Sequence, residues 1–176
     1  IRSINDNSDH CHLIGVYALG KCQRFITLLR KSGFNDAIYL HGALMKISNY
    51  YIDRKINLGE LRNVSELKTS DYANKLILCP PSSLSDRWSQ KFNKVIKGFV
   101  SGWMGIKQRI KQKNIQLPII ISDHADWNEI LNTIEEISPE KVLVTHGREE
   151  GLLSYLKQKK VRCNALNLIG FEDEDD

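Results

Sequence analysis

The chain has 176 residues, which is enough for one domain with a hydrophobic core. Hydrophobic residues make up 41% and charged residues 26%, as in ordinary globular proteins, and no apolar run is long enough to cross a membrane. The formal net charge is +4, but the last five residues are all acidic, so the remaining chain carries about +9 and suits a polyanion such as nucleic acid.

Four scattered cysteines form no Cys-x-x-Cys pair, so we expect reduced, mostly buried thiols and a cytoplasmic protein. The sequence begins with Ile1 and lacks the apolar segment of a signal peptide. We therefore expect a fragment of a longer protein.

Apolar runs and helical spacings alternate along the first part of the chain, which predicts alternating strands and helices. The spacing of apolar residues after Gly20 predicts a helix that Gly33 ends. The predicted strands are 12–17, 37–40, 75–79 and 95–100, the predicted helices are 22–29, 44–51 and a short one at 84–92, and 57–71 is predicted to be irregular.

The second part repeats the alternation, with strands predicted at 117–121, 141–145 and 161–168. The clearest helix starts at Trp127 and ends near Ile137, and Asp126 with Glu129 predicts a capping box at its start. Another helix is predicted after residue 147. The order of elements predicts an α/β fold with largely parallel strands.

Two histidines stand where a strand is predicted to end and a helix to begin. His124 follows the strand at 117–121, and His146 follows Val142-Leu143-Val144. Such strand ends line the ligand crevice of an open α/β sheet, where imidazoles can bind a metal or move a proton. The residues alone leave open a second interpretation, in which both are structural histidines with hydrogen-bond partners.

Other candidate sites are weaker. The Gly20-Lys21 pair does not complete a phosphate-binding P-loop, because Cys22 stands where that motif has Ser or Thr, and we expect Gly20 to allow close approach of strand and helix. His41 is expected to be structural or on the surface. A hydrolytic metal centre needs more ligands than two histidines; Asp123 could add a carboxylate, but His10 and His12 lack ligand spacing.

The strings Ser122-Asp123-His124-Ala125-Asp126-Trp127 and Thr145-His146-Gly147 resemble the two C-terminal histidine motifs of the β-CASP branch of the metallo-β-lactamase superfamily of nucleases. Among its subfamilies, the bacterial ligase-associated DNA exonuclease, also described as an mRNA 3′-end processing factor, is the most similar. The strings 15–24, 38–43 and 100–104 match it too, so the resemblance covers about Gly15 to Leu166.

The resemblance implies a role for each motif residue. His146 corresponds to a metal ligand of a two-zinc centre, and Gly147 supports the motif. His124 corresponds to the histidine that contacts the scissile phosphate and protonates the leaving oxygen, with Ser122 beside it at the phosphate. Asp123 and Asp126 support the motif, and Asp126 is favoured as a helix cap.

The resemblance also implies the domain organisation. Residues 1–116 would form most of a β-CASP cap domain, a parallel sheet with flanking helices. Residues 117–169 would supply the C-terminal strands and helices of a metallo-β-lactamase αββα domain, and 170–176 a disordered acidic tail. The family's N-terminal half, with its His-x-His-x-Asp-His string, has no counterpart here. We therefore expect this chain alone to bind little or no zinc.

Three functional hypotheses follow. The first is part of a zinc-dependent DNA exonuclease whose partners include nucleic acid, and either a DNA ligase or a separate lactamase half. The second is an RNA-processing nuclease of the same superfamily, since contacts to the backbone do not distinguish the sugars. The third is a truncated, catalytically silent module for nucleic-acid binding or association.

Overall fold

A computed structural model describes residues 1–145 and 149–166 of the chain. The polypeptide divides into two compact units, Ile1–Asp123 and His124–Asp176. His146, Gly147 and the predicted acidic tail at 170–176 lie outside the described residues.

The first unit contains a six-stranded sheet in the order β3-β2-β4-β1-β5-β6, and every pairing among its described strands is parallel. This confirms the α/β fold class. The strands are β1 (Cys11–Gly15), β2 (Ile38–Leu40), β3 (Leu61–Asn63), β4 (Leu76–Cys79), β5 (Val95–Val100) and β6 (Leu117–Ile119). The helices are α1 (Arg2–Asp6), α2 (Lys21–Lys31), α3 (Gly42–Asp53) and α4 (Lys107–Gln112).

Both faces of this sheet are covered by apolar side chains. Leu13 and Ile14 are neighbours on β1 but belong to different hydrophobic clusters, as do Ile77 and Leu78 on β4. Successive side chains of a strand point to opposite faces, so the two clusters lie on the two sides of the sheet. This explains why the central strands are continuous apolar runs in the sequence.

The second unit is smaller and also α/β. Its strands β7 (Val142–Val144) and β8 (Cys163–Ala165) pair in parallel, and its helices are α5 (Trp127–Ile137) and α6 (Glu149–Gln158). Leu156 of α6 is buried. The predicted helix from Trp127 to Ile137 is confirmed at both ends.

Two local predictions are wrong. The segment predicted to be irregular contains β3, a partly exposed edge strand of three residues. Its Leu-Arg-Asn sequence is too short and too polar to show strand periodicity. The segment 84–92 holds no α-helix; Pro81–Leu84 and Ser89–Lys91 form separate 3₁₀ turns instead.

Strand β6 is hydrogen-bonded to β5, so it belongs to the sheet of the first unit. The domain boundary predicted between residues 116 and 117 stays a prediction. Among the described residues, no helix has the length and apolar character needed to cross a membrane.

The sheet order determines which loops meet. Strands β1, β5 and β6 are neighbours and run parallel, so the segments after their carboxyl ends lie at one edge of the sheet. These segments are 16–20, 101–105 and 120–123. The last one carries Ser122 and Asp123 of the first histidine motif.

Candidate active site

The first turn of α2 holds the Ser122-Asp123 segment. The Lys21 ammonium lies 2.8 Å from Oδ1 of Asp123. Arg24 donates a hydrogen bond from Nη1 to the carbonyl oxygen of Ser122 at 2.7 Å. Residues three positions apart share a helix face, so one face of α2 fixes both the backbone and the carboxylate of this segment.

Lys21 is a buried charge. The residue is 5% exposed, and its ammonium lies 5.3 Å from the centre of the Tyr17 ring. Removing an ammonium from water costs several kcal/mol unless an opposite charge compensates it. The Asp123 carboxylate supplies that charge while its own side chain stays 39% exposed. The carboxylate that the sequence offered as a candidate metal ligand is therefore the counter-ion of Lys21.

Sequence reasoning missed the roles of Lys21 and Arg24, although a signal was present. The amino end of a helix carries a partial positive charge, so cations in the first turn are unfavourable without an anionic or carbonyl partner. Lys21 and Arg24 both stand in the first turn of α2, which has no acidic residue there. Two cations in that position indicate a partner elsewhere in the fold, and the structure identifies it.

Gly20 precedes α2 and helps to position it for this contact. Glycine is needed there, but not for the close packing that the sequence predicted. A Cβ atom at Gly20 would meet nothing within 4 Å, so close packing does not require glycine. Its φ of +74° does, because L residues rarely adopt that conformation. Gly20 turns the chain so that the helix begins with the buried Lys21.

The segment after β5 packs directly against Ser122. A Cβ atom added to Gly102 would lie 3.2 Å from Cβ and 3.3 Å from Oγ of Ser122. The neighbouring Ser101 donates its N–H to the carbonyl oxygen of Ile119 at 3.0 Å. The Ser-Gly-Trp-Met string therefore packs against Ser122, the first residue of the first histidine motif, within the first unit.

In the second unit, Asp126 caps α5. Its Oδ1 accepts the N–H of Glu129 at 2.9 Å, and Oε2 of Glu129 accepts the N–H of Asp126 at 2.8 Å. The predicted capping box is confirmed. His124 is exposed and precedes this cap by two residues. The cap thus fixes the backbone directly after the histidine.

The second histidine motif lies outside the described residues. Strand β7 ends at Val144 and α6 begins at Glu149, so the elements on either side have the predicted order. The roles assigned to His146 and Gly147 stay predictions.

The other histidines have local partners. His41 caps α3 by accepting the N–H of Ala43 at Nδ1, and its ring meets Trp88 edge to face with centres 4.6 Å apart. His12 is fully buried and shares a 2.8 Å hydrogen bond with Ser3, and burial lowers the pKa of both His12 and His41. These contacts agree with the structural interpretation of His41.

Comparison with known proteins finds a family match for part of the chain. Residues 109–165 match the family described as the Zn-dependent metallo-hydrolase RNA specificity domain, and this range contains both histidine motifs. The resemblance to the metallo-β-lactamase superfamily read from the motifs is thereby confirmed for this part of the chain.

The chain is also similar to a probable DNA ligase of Opitutus terrae. The two are 24% identical over 173 residues, which cover 93% of the chain and 16% of the relative. The chain thus spans about one sixth of the length of that relative.

The matched family is described as Zn-dependent, and a zinc site needs several donor side chains close together. Within 1–145 and 149–166, no group of three or more His, Cys, Asp or Glu side chains could hold a metal ion. Burial raises the pKa of Cys11, Cys22 and Cys79 to about 12, which keeps these thiols protonated and unsuited to zinc. The described residues do not make a zinc site by themselves.

The same burial makes a testable prediction about the thiols. In a Cys163→Ser background, we expect Cys11, Cys22 and Cys79 to resist Ellman's reagent at about pH 8, because only an accessible thiolate attacks it. All three should react once guanidinium unfolds the chain. Rapid labelling of the folded protein would contradict the burial. All four cysteines are free and buried, in keeping with the buried thiols expected from the sequence.

Proposed function

We propose that this chain is part of a zinc-dependent phosphodiesterase that degrades DNA from an end. The observation that supports this most is the position of the family match, because the metallo-hydrolase range contains both histidine motifs. The basic composition outside the tail suits a polyanionic substrate. We place the protein in the cytoplasm, in keeping with its four free thiols.

In this proposal each motif residue has one task. His124 donates the proton that the leaving oxygen needs, and Ser122 contacts the scissile phosphate beside it. In the first unit, Lys21 and Arg24 hold Ser122 and Asp123, with Asp123 as the counter-ion of Lys21. In the second unit, Asp126 caps the helix that follows His124.

Within this chain, one protein ligand of the metal is proposed. We propose His146 as a zinc ligand, next to Gly147, within a centre of two zinc ions. The remaining ligands would come from a lactamase-like half carrying the His-x-His-x-Asp-His string, in the same polypeptide or in a partner. A DNA ligase is a second proposed partner, since the relative from Opitutus terrae is a probable DNA ligase.

Two alternatives have observations in their favour. The matching family is described by RNA specificity, which favours an RNA-processing nuclease. The described residues contain no group able to hold a metal, which favours a silent binding module. Both alternatives keep nucleic acid as the ligand.

The complete gene product decides among the three. We expect zinc to co-purify with it and to support stepwise release of nucleotides from a labelled DNA strand, with slower release from the matched RNA strand. Chelation with EDTA should abolish both. Faster cleavage of RNA would favour the RNA nuclease, and no cleavage of either strand would favour the silent module. The isolated 176-residue chain should contain no stoichiometric zinc by elemental analysis.

A further inference from the structure

An exposed tryptophan directly follows Gly102, which packs against Ser122. Trp103 is 54% exposed, although its neighbour Met104 is 1% exposed in the core. The Arg109 guanidinium lies over the Trp103 ring, 4.2 Å from its centre. An exposed indole with a stacked guanidinium offers two flat surfaces to a planar ligand.

The surroundings of Trp103 are positively charged. Between Asp86 and Asp123 the sequence has eight basic residues and no acidic one. Helix α4 contributes Lys107, Arg109 and Lys111, and Lys113 follows it. Within the part of the chain that the structure describes, none of these four cations is in an ion pair. Their charge is therefore not neutralised by neighbouring carboxylates, and it attracts phosphates.

The place of Trp103 in the fold ties it to the candidate site. Gly102 directly precedes it and would contact Ser122 through an added Cβ at 3.2 Å. Trp103 itself is held by its N–H, which donates to Oγ of Ser101 at 3.3 Å. A base stacked on Trp103 would thus sit next to the segment to which phosphate contact is assigned.

We propose that Trp103 and Arg109 form a stacking platform for an unpaired nucleobase of the nucleic-acid substrate, with the cations of α4 on its phosphates. This rests on the proposed function for its biological meaning, but binding is measured without metal or cleavage. Aromatic rings stack on any base, so the platform favours unpaired strands without reading their sequence. A paired base is already stacked within its duplex and does not offer its faces.

The test uses the 176-residue chain in EDTA, with fluorescence anisotropy of a labelled deoxythymidine strand of about 12 nucleotides and an abasic strand of equal length. The unsubstituted chain should bind the thymidine strand about tenfold more tightly than the abasic one. Trp103→Ala should remove this difference and leave abasic binding unchanged, whereas Trp103→Phe should retain most of it. A uridine strand should behave like thymidine if the sugar does not matter to the platform.

Tyr50→Ala is the matched control. Tyr50 is also 54% exposed and has Arg54 over its ring at 4.8 Å, but it lies on α3, which packs on β2 and β4 rather than beside β6. We expect its affinity for both strands to change by less than about twofold. Equal affinity of the unsubstituted chain for thymidine and abasic strands would overturn the platform, as would unchanged thymidine binding by Trp103→Ala. If the platform binds but the complete protein cleaves nothing, the proposed hydrolase fails and the platform stands.

Discussion

Replacing His124 by alanine in the complete protein is expected to lower turnover about 100- to 10,000-fold while zinc content stays unchanged. The range is that of a positioned proton donor in other enzymes. The proposal gives His124 no part in holding metal, and its exposed position before the α5 cap places it where a substrate can reach. Single-turnover cleavage and elemental analysis of the same sample measure the two quantities.

Two further variants make that result interpretable. His146→Ala should lose zinc and cleavage together, because it is proposed as a ligand. His41→Asn is the control, since His41 also follows a strand and precedes glycine but serves as a helix cap, which asparagine can replace. Normal turnover by His124→Ala would refute its role, and full zinc content in His146→Ala would refute the ligand assignment.

The second large effect concerns stability, and it should be asymmetric. Asp123→Asn leaves the Lys21 ammonium, 6% exposed, without its counter-charge, so we expect a loss of about 2 kcal/mol in the free energy of unfolding. Lys21→Met removes the buried charge itself, and the Asp123 side chain is 39% exposed, so the loss should be about 1 kcal/mol or less. Although both variants break the same ion pair, they should lose different amounts of the free energy of unfolding.

Urea unfolding of the isolated chain measures the difference. The double variant should resemble Lys21→Met, because the methionine removes the buried charge that makes the asparagine costly. Asp9→Asn is the control for a surface pair: Asp9 meets Lys94 at 3.0 Å with both side chains more than 60% exposed, so its effect on the free energy of unfolding should be much smaller than that of Asp123→Asn. Equal losses in the Lys21 and Asp123 variants would contradict the burial argument.

Strands and helices with strong periodicity could be predicted from the sequence. The central strands are buried on both faces and α5 has a regular apolar face, so their patterns are local and clear. Strand β3 could not be found, because three residues at a sheet edge show no period. The two 3₁₀ turns near Pro81 and Ser89 follow from local geometry that helical spacing does not distinguish.

For the candidate site, the sequence indicated the motifs but not their supports. The Asp126 cap depends on residues three positions apart and could be predicted. The partners of Asp123 and Ser122 lie on α2, about a hundred positions earlier, and their pairing depends on strand order. No local pattern in the sequence contains that order.

The contacts of Lys21 and Arg24 with the Ser122-Asp123 segment have a consequence for folding during synthesis. Arg24 and Ser122 are 98 positions apart, so the ribosome releases the start of α2 well before its partners. At a synthesis rate of about 5–20 residues per second, Asp123 is added to the chain roughly 5–20 s after Lys21. During that time the Lys21 charge has no counter-ion from Asp123 and its burial is unfavourable, so we expect the start of α2 to stay in water until β6 joins the sheet. Completion of the sheet and fixing of the Ser122-Asp123 segment are then expected to be one late step in folding.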